Sequence, residues 1–394
     1  MKAINDNPTH FIFGVDTLLQ LPKEVRKYGR KALLLSGHSS QGNGALKCTI
    51  ECLQAMGIGV TEYSDIESSP RLSSVIRCAR IAREEKCDVI IALGGNSVID
   101  TAKIVAAAFY YQGNPWDMIY YATKNVFVPS QALPIIAVPT LIVTGSERSN
   151  IAFVTNEQKK TKSFVLSNLF YPRVVIVDPK LTLNIPQIQT SFGVCGLITK
   201  ITESYFNGGN VTPSNERTAE INVKNIIAMG AKTLADSNCI EARTQLQWHS
   251  MFIFNIYMKV RNDYVPPIHM IMHTLSAHHD IPHGAGLAVL GLAWIRFVAK
   301  ARPEKFAQFV REILELNFAL SNFNSLGKVG IEWFEYFWKS IGCPTRLIDL
   351  GIGDELFSQY ARETLAVATV KNGKLPGTFA ISETDIIKIL QLGA

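Results

Sequence analysis

A short apolar stretch that runs directly into two glycines constrains the fold of this chain most strongly. Residues 88–93 (DVIIAL) have the composition of a strand buried on both faces of a parallel sheet, and residues 94–103 (GGNSVIDTAK) follow at once. Gly94 and Gly95 allow close approach of an anion, and Asn96 or Ser97 can cap a helix whose N-terminus attracts negative charge. The pattern predicts a phosphate-binding turn. It is neither the G-x-G-x-x-G fingerprint nor a Walker A loop, so a simple tight turn stays open.

Other apolar runs extend this pattern along the first half of the chain. We predict strands at 32–35, 133–138 and 174–177 and a helix at 72–85, and this alternation indicates a doubly wound α/β domain. Helical patterns dominate after Pro186. With 394 residues the chain is long enough for two cores. We therefore expect an α/β domain over 1–185 and an all-helical domain over 186–394, with a ligand cleft between them.

Composition excludes several classes of function. The chain is 47% hydrophobic and 18% charged, and its net charge of +6 is spread without a run of like charges, so we expect no nucleic-acid partner. The seven cysteines are scattered without a CxxC pair, which is typical of reduced thiols. The N-terminus lacks an apolar signal core, and no uncharged apolar run reaches membrane-spanning length. We expect a cytoplasmic protein that does not associate with membranes.

Two further stretches carry chemistry. Hydroxyl-bearing residues follow the strand at 133–138, in Pro139-Thr140 and in residues 144–147 (TGSE), where they suit a second phosphate or a ribose; a helix-capping loop is the alternative. Five of the eight histidines lie within residues 266–284. His269 and His273 share one helix face, and His283 follows in a Pro-His-Gly turn. Such crowding indicates metal or proton chemistry.

These stretches together resemble the iron-containing (group III) alcohol dehydrogenase family, particularly its butanol-dehydrogenase-like branch. The matching segments are GGNSVIDTAK, PTLIVTGSE, VDPKLTLNIP, the segment from Gly193, HMIMHTLSAHHDIPHGAGLAVL and IGCPTRLIDLGI, which cover nearly the whole chain. The resemblance implies a dinucleotide-binding α/β domain and a helical domain, a fold also like that of dehydroquinate synthase. It also implies reversible NAD(P)-linked reduction of aldehydes, and a homodimer or larger homo-oligomer.

The resemblance assigns cofactor-binding residues. Its pyrophosphate set, with the aspartate of the same motif, is Gly94, Gly95, Asn96, Ser97 and Asp100, and its nicotinamide set is Thr140, Thr144, Ser149, Lys162 and Leu181. NAD-preferring relatives place a carboxylate after the second strand, whereas residues 35–40 here (LSGHSS) have none. Gly37 and Ser39 leave room for a 2′-phosphate, and His38 adds a donor. We therefore expect NADP(H) to be preferred over NAD(H).

The metal site implied by the resemblance is half missing. The family binds a divalent ion with an Asp, a His four residues later and two histidines fourteen apart. His269 and His283 match the second pair, but Gly196 and Lys200 stand where the Asp and first His belong. Two imidazoles beside an ammonium hold a divalent ion poorly. We therefore doubt iron or zinc binding, and we interpret the neighbouring Cys195 as a buried thiol more readily than as a substitute ligand.

The resulting prediction is an enzyme that reduces a small aldehyde or ketone without a metal. Lys200 would polarise the carbonyl, and His273, which matches a non-ligand histidine near the nicotinamide, would relay the proton. Arg148 with Lys200 suggests an anionic substrate. Two alternatives stay open: a conventional metal-dependent alcohol dehydrogenase, and an inactive nucleotide-binding protein. We expect His278 and His279 to be solvated.

Overall fold

The chain divides into two units. The computed structural model describes residues 7–119, 127–142, 145–208, 212–257, 264–316, 323–368 and 370–394, without the side chains of 252–257. Of the described residues, one unit contains those up to Ile185 together with Ser237–Gln247, and the other contains Pro186–Asp236 and Trp248–Ala394. We refer to them as the α/β unit and the helical unit.

A parallel sheet of six strands organises the α/β unit, in the order β1-β8-β5-β4-β2-β3. The strands are β1 His10–Phe13, β2 Lys31–Gly37, β3 Gly59–Ile66, β4 Val89–Gly94, β5 Ile135–Pro139 and β8 Val174–Val177. β6 Ile151–Asn156 and β7 Thr161–Leu166 form a separate antiparallel hairpin. The four strands predicted from apolar runs are present. The two edge strands were not predicted, because β3 is largely half-buried or exposed and β1 has only four residues.

The helices of the α/β unit lie between the strands of this sheet in chain order. They are α1 Leu21–Val25, α2 His38–Gly42, α3 Ala45–Ala55, α4 Leu72–Glu84 and α5 Asn96–Ala108. The predicted helix at 72–85 corresponds to α4, and its predicted apolar face is buried. α5 is buried along nearly its whole length, so even its polar residues Asp100 and Lys103 lie in the interior. Charges in such a place need partners, because burying an unpaired charge is costly.

The helical unit consists of nine helices in the part of the chain that the structure describes. They are α6 Gln187–Asn207, α7 Pro213–Ala235, α8 Ile240–Tyr257, α9 Pro267–His279, α10 His283–Ala301, α11 Pro303–Leu314, α12 Phe323–Ser340, α13 Phe357–Val367 and α14 Glu383–Leu392; the first residues of α8 group with the α/β unit. By length and composition alone α10 could cross a membrane, but most of it is buried inside the unit, as in a core helix.

Small residues let α6 and α10 pack closely. A Cβ on Gly284 would lie 2.5 Å from the Cβ of Phe192, and one on Gly291 would overlap Thr199 Oγ1. The Thr199 hydroxyl donates to the Leu287 carbonyl at 3.2 Å. This contact aligns the start of α10, where His283 lies, with the first half of α6.

We predict that alanine substitutions at two helical glycines, Gly291 and Gly327, change the free energy of unfolding in opposite directions. Gly291→Ala forces α6 and α10 apart and should lower the free energy of unfolding by about 1–3 kcal/mol. At Gly327 of α12 the nearest atom to an added Cβ is 3.9 Å away, so alanine fits there. Gly327→Ala should raise the free energy of unfolding by about 0.5–1 kcal/mol, because alanine loses less backbone entropy in a helix. Urea unfolding of both variants checks this; equal effects would contradict the packing argument.

Candidate active site

The predicted phosphate-binding turn lies between β4 and α5. A Cβ on Gly94 would be 2.6 Å from Val98 Cγ2 and 3.0 Å from Val98 Cβ, so this position favours glycine, and one on Gly95 would be 2.8 Å from Leu141 Cδ1, which would have to move. The prediction that Asn96 or Ser97 caps the helix is wrong. Gly95 is the N-cap residue, and no side chain accepts from the first turn of α5, because Ser97 Oγ instead donates to Ser68 O at 2.6 Å. The first N–H groups of α5 therefore have no side-chain acceptor and suit an anion.

The nucleotide-binding residues predicted on neighbouring strands lie beside this turn. Thr140 N donates to Gly94 O at 3.4 Å, so the end of β5 adjoins the end of β4. Among the described residues, the buried oxygens Asn96 Oδ1 and Thr140 Oγ1 have no hydrogen-bond partner. Gly37, which ends β2, also borders the turn, since a Cβ there would be 3.7 Å from Val98 Cγ2. A glycine cradle with two such oxygens is the surface that a dinucleotide's phosphates and sugar hydroxyls need.

The remaining predicted cofactor residues occupy different settings. Ser39 is exposed, whereas Leu181 is buried and its carbonyl accepts from Asn43 Nδ2 at 3.0 Å. The Ser149 hydroxyl accepts from Ile151 N at 2.9 Å, and Lys162 Nζ donates to Ser69 Oγ at 3.2 Å. Thr144 lies outside the described residues. Direct contacts of these residues with a cofactor stay predictions.

A buried ion pair underlies the loop that follows β5, and only half of it was singled out from the sequence. The Asp100 carboxylate accepts from Ser146 Oγ and, at 3.2 Å, from Phe153 N. Lys103 Nζ lies 3.9 Å from Asp100 and is itself fully buried. Burial raises the pKa of Asp100 and lowers the pKa of Lys103 to about 8, against the favourable charge of the partner. Both oxygens of the Asp100 carboxylate accept hydrogen bonds from the protein. This arrangement favours a role for Asp100 in organising the loop.

Arg148 packs on the edge strand of the sheet. Its guanidinium carbon lies 5.3 Å from the centre of the Phe11 ring, in a cation–π contact. The Arg148 carbonyl accepts from Asn7 Nδ2 at 2.8 Å. Partial burial lowers the pKa of Arg148 from its usual range. Its role in binding an anionic substrate stays a prediction.

Three imidazoles lie together in the helical unit, and we call His269, His273 and His283 the histidine cluster. The ring centres of His269 and His283 are 5.9 Å apart, and those of His273 and His283 are 5.7 Å apart. His273 is 94% buried, since only 6% of its surface is exposed. Helix α9 carries the first two rings one turn apart, and the start of α10 supplies the third.

Glu203 of α6 holds His269 of the histidine cluster in place, and it was not singled out from the sequence. Its carboxylate accepts from Ile268 N at 2.6 Å and from His269 N at 3.2 Å, which are N–H groups of the first turn of α9. The same carboxylate bonds the His269 ring at Nδ1. Glu203 is fully buried, and its being the one carboxylate of α6 was the available signal.

At two of the four metal-ligand positions that the resemblance implies, the residues present, Gly196 and Lys200, are not ligands of the expected kind. Within the described ranges no group of three or more His, Cys, Asp or Glu side chains is arranged to hold an ion. Gly196 and Lys200 lie on α6, and Lys200 is partly buried one turn before Glu203. Cys195 Sγ is buried 3.5 Å from Cys343 Sγ, and burial raises the pKa of its thiol, as expected for a packed cysteine.

The other two histidines of the sequence cluster do not behave as expected. His278 Nε2 lies 2.5 Å from Glu363 Oε2, and His279 Nε2 lies 2.7 Å from Tyr360 Oη. The prediction that both are solvated is therefore wrong, because α13 packs on this end of α9 and supplies polar partners. They hold α13 against α9 and are separate from the histidine cluster.

Comparisons with known proteins identify the family of this chain. The family model for iron-containing alcohol dehydrogenase matches residues 8–179, and the C-terminal model of the Fe-containing alcohol dehydrogenase family matches residues 192–392. A probable NADH-dependent butanol dehydrogenase of Bacillus subtilis (strain 168) is 32% identical over 98% of this chain and 97% of that protein. An NADPH-dependent aldehyde reductase of Escherichia coli (strain K12) is 27% identical over 88% of each chain.

A solved structure supports the same family and the same fold. The NADH-dependent butanol dehydrogenase A of Thermotoga maritima superposes with a TM-score of 0.90 and 32% identity, covering 100% of this chain and 98% of that chain. The predicted fold, with a parallel α/β part and a helical part, is confirmed. The chain belongs to the iron-containing alcohol dehydrogenase family.

Proposed function

We propose that this chain reduces a small aldehyde or ketone to the alcohol with NADPH, reversibly and without a metal ion. The single observation that carries the metal-free part is the presence of Lys200 and Gly196 on α6, in the helical unit that also holds the histidine cluster. An ammonium there offers a fixed positive charge where relatives of this type would need a Lewis acid. Lysine at this position also repels a divalent cation, so the two modes exclude each other.

The α/β unit supports the cofactor part of the proposal. The uncapped start of α5 and the glycines of the turn suit the pyrophosphate, and sugar hydroxyls can satisfy Asn96 Oδ1 and Thr140 Oγ1. When bound, the reduced nicotinamide supplies the hydride that reaches the carbonyl carbon. The protein's task is then to bind the dinucleotide, orient it and stabilise charge on the carbonyl oxygen.

The helical unit supplies the groups for that charge and for the proton. An ionised carboxylate can only accept, so the Glu203 contact places a proton on Nδ1 of His269, and in the neutral imidazole Nε2 then keeps a lone pair. His269 is thus an acceptor toward the site, while Lys200 is a donor. We assign to Lys200 the stabilisation of the developing alkoxide and to His273 the transfer of the proton to it.

One observation favours a metal-dependent dehydrogenase as the second candidate. A carboxylate on the far nitrogen of a histidine, as Glu203 on His269, is the usual support of metal-ligating histidines. Metal analysis of the purified protein separates the candidates. Dinucleotide binding without turnover of any aldehyde would instead support an inactive family member.

The finer features of the proposal have separate supports. Gly37, His38 and Ser39 leave the end of β2 without a carboxylate, which suits a 2′-phosphate, although the exposed Asp65 at the end of β3 is a candidate partner for a 2′-hydroxyl. Arg148 and Lys200 support an anionic substrate. We also propose a cytoplasmic homo-oligomer.

We predict that Lys200→Ala lowers kcat roughly 10²–10³-fold, the usual effect of removing one group that stabilises an oxyanion. Added methylamine should restore part of the rate, because it returns the missing ammonium. Lys328→Ala, at an exposed position of α12, is the matched control and should keep full activity. NADPH oxidation with an aldehyde panel, alongside metal analysis, checks this. Stoichiometric metal, or an unchanged Lys200→Ala, would reject the metal-free mechanism.

We predict that Ser39→Asp weakens the use of NADPH selectively. A carboxylate there would repel the 2′-phosphate, so kcat/KM for NADPH should fall at least about tenfold while that for NADH holds or rises. Ser39→Asn has the same size without the charge and serves as the control. A wild type that clearly prefers NADH would overturn the cofactor proposal, and Asp65→Asn would then be the variant to measure.

We predict that Glu203→Gln lowers kcat roughly 10–100-fold, the range typical of groups that orient a site histidine. The carboxamide no longer enforces the Nδ1–H form of His269, so ¹⁵N chemical shifts of the labelled ring should move toward the other tautomer. Glu363→Gln, which alters the equivalent contact to His278, is the matched control. If both variants keep the wild-type rate and the His269 shifts are unchanged, the tautomer argument is wrong.

A further inference from the structure

Lys103 is the last residue of GGNSVIDTAK, and it lies in an unusual setting. Its side chain has no exposed surface, yet Nζ donates to three oxygens at 2.7 Å each: Ser146 O, Ser146 Oγ and Ile151 O. All three protons of an ammonium are therefore used on one short segment. A buried charge with such complete pairing holds its partners tightly, because each bond broken would leave a polar group unsatisfied.

Asp100 reinforces the same segment from one turn earlier on α5. Its carboxylate accepts from the Ser146 hydroxyl and the Phe153 N–H, and it lies 3.9 Å from Lys103 Nζ. The segment Ser146–Phe153 is thus tied to α5 through two charged side chains. The first turn of α5 is the phosphate-binding turn, and the tied segment contains Ser149, which we propose to line the nicotinamide half.

We propose that Lys103 is a positioning residue for the cofactor, which holds segment 146–151 at a fixed distance from the phosphate-binding turn. This inference rests on the proposed function, since it assumes that the turn and the segment bind the two halves of one dinucleotide. Lys103 itself touches neither half. Its effect reaches the cofactor through the carbonyls of Ser146 and Ile151.

The number of protons on Lys103 makes this role sensitive to pH. The ammonium satisfies three acceptors, whereas a neutral amine has two N–H groups and must release one of them. Burial lowers the pKa of Lys103 to about 8, while the charges of Asp100 on the same helix and Glu147 in the segment oppose that shift. The charge of Lys162 on β7 acts on Asp100, where it opposes the rise in the pKa of that carboxyl. We therefore expect cofactor affinity to fall as pH rises through about 8.

Stability moves in the opposite direction, which separates positioning from a purely structural role. The pKa of Lys103 is lower in the folded chain than its ordinary value of 10.5, so between these values the folded chain holds fewer protons than the unfolded chain. The free energy of unfolding of the wild type, relative to Lys103→Met, should then rise with pH across this window. Affinity that simply followed stability would rise as well.

The test is the dissociation constant of NADPH, measured by its fluorescence between pH 6.5 and 9.5, with unfolding measured in parallel. At pH 7, Lys103→Met should bind about tenfold or more weakly and lose the pH dependence, because a buried carbonyl loses its donor. Lys103→Arg, charged throughout the range, should also lose the pH dependence. Lys31→Met, at the start of β2 and paired with Glu85, is the control and should match the wild type.

Each outcome decides something. An unchanged affinity in Lys103→Met, or a wild-type affinity that rises above pH 8, would overturn this inference alone. If Lys103→Met does not fold, Ser146→Ala and the wild-type pH series still decide, since Ser146→Ala removes one acceptor and should weaken binding. A wild type that binds no dinucleotide would overturn both proposals. Binding that depends on Lys103, without turnover of any aldehyde, would support this inference and overturn the proposed function.

Discussion

The buried carboxylate of Glu203 is the interaction on which the helical unit's site depends. It bonds two N–H groups at the start of α9 and the ring of His269, so one side chain fixes both a helix end and an imidazole. Favourable charge at a helix N-terminus and a charge-assisted hydrogen bond compensate for the burial of Glu203. Breaking such a pairing typically costs about 3–5 kcal/mol, because the remaining buried charge is then unpaired.

The α/β unit also has buried charged side chains on a helix that fix neighbouring groups, but with different residues. Lys103 and Asp100 are buried in α5 and pair with the segment that follows β5, where loops are otherwise free to move. In each unit a charge on a core helix thus organises neighbouring groups of a proposed binding surface. Rigid support of this kind is what a site needs if bound groups are to be held within a fraction of an ångström.

The family's metal chemistry and this chain's residues point in different directions. Glu203 and His269 keep the arrangement that supports a metal ligand, while Gly196 and Lys200 stand in place of two ligands. A lysine that takes over electrostatic stabilisation needs only a fixed ammonium near the carbonyl oxygen, and the remaining histidines can then donate, accept and relay protons. Under the proposed function, the half of the expected metal site that remains is therefore still useful without an ion.

Much of the fold could be predicted from the sequence. The central strands β2, β4, β5 and β8 are continuous apolar runs because both faces of a parallel sheet are covered, and the helical period of α4 is equally plain. The edge strands β1 and β3 were not predicted, because a strand that is only partly buried need not consist of apolar residues. The prediction that Asn96 or Ser97 caps α5 was wrong, because the backbone turn places Gly95 at the N-cap position.

The sequence by itself determined which chemical groups the protein has: a glycine turn, three imidazoles at helical and turn spacing, and a lysine where a ligand is expected. Tertiary structure alone decided which of them are paired. Glu203 lies 66 residues from His269, and Lys103 lies 43 and 48 residues from the residues whose carbonyls it binds. Hydrogen bonds and desolvation act over a few ångströms of space. The number of residues between two groups along the chain therefore does not indicate whether they interact.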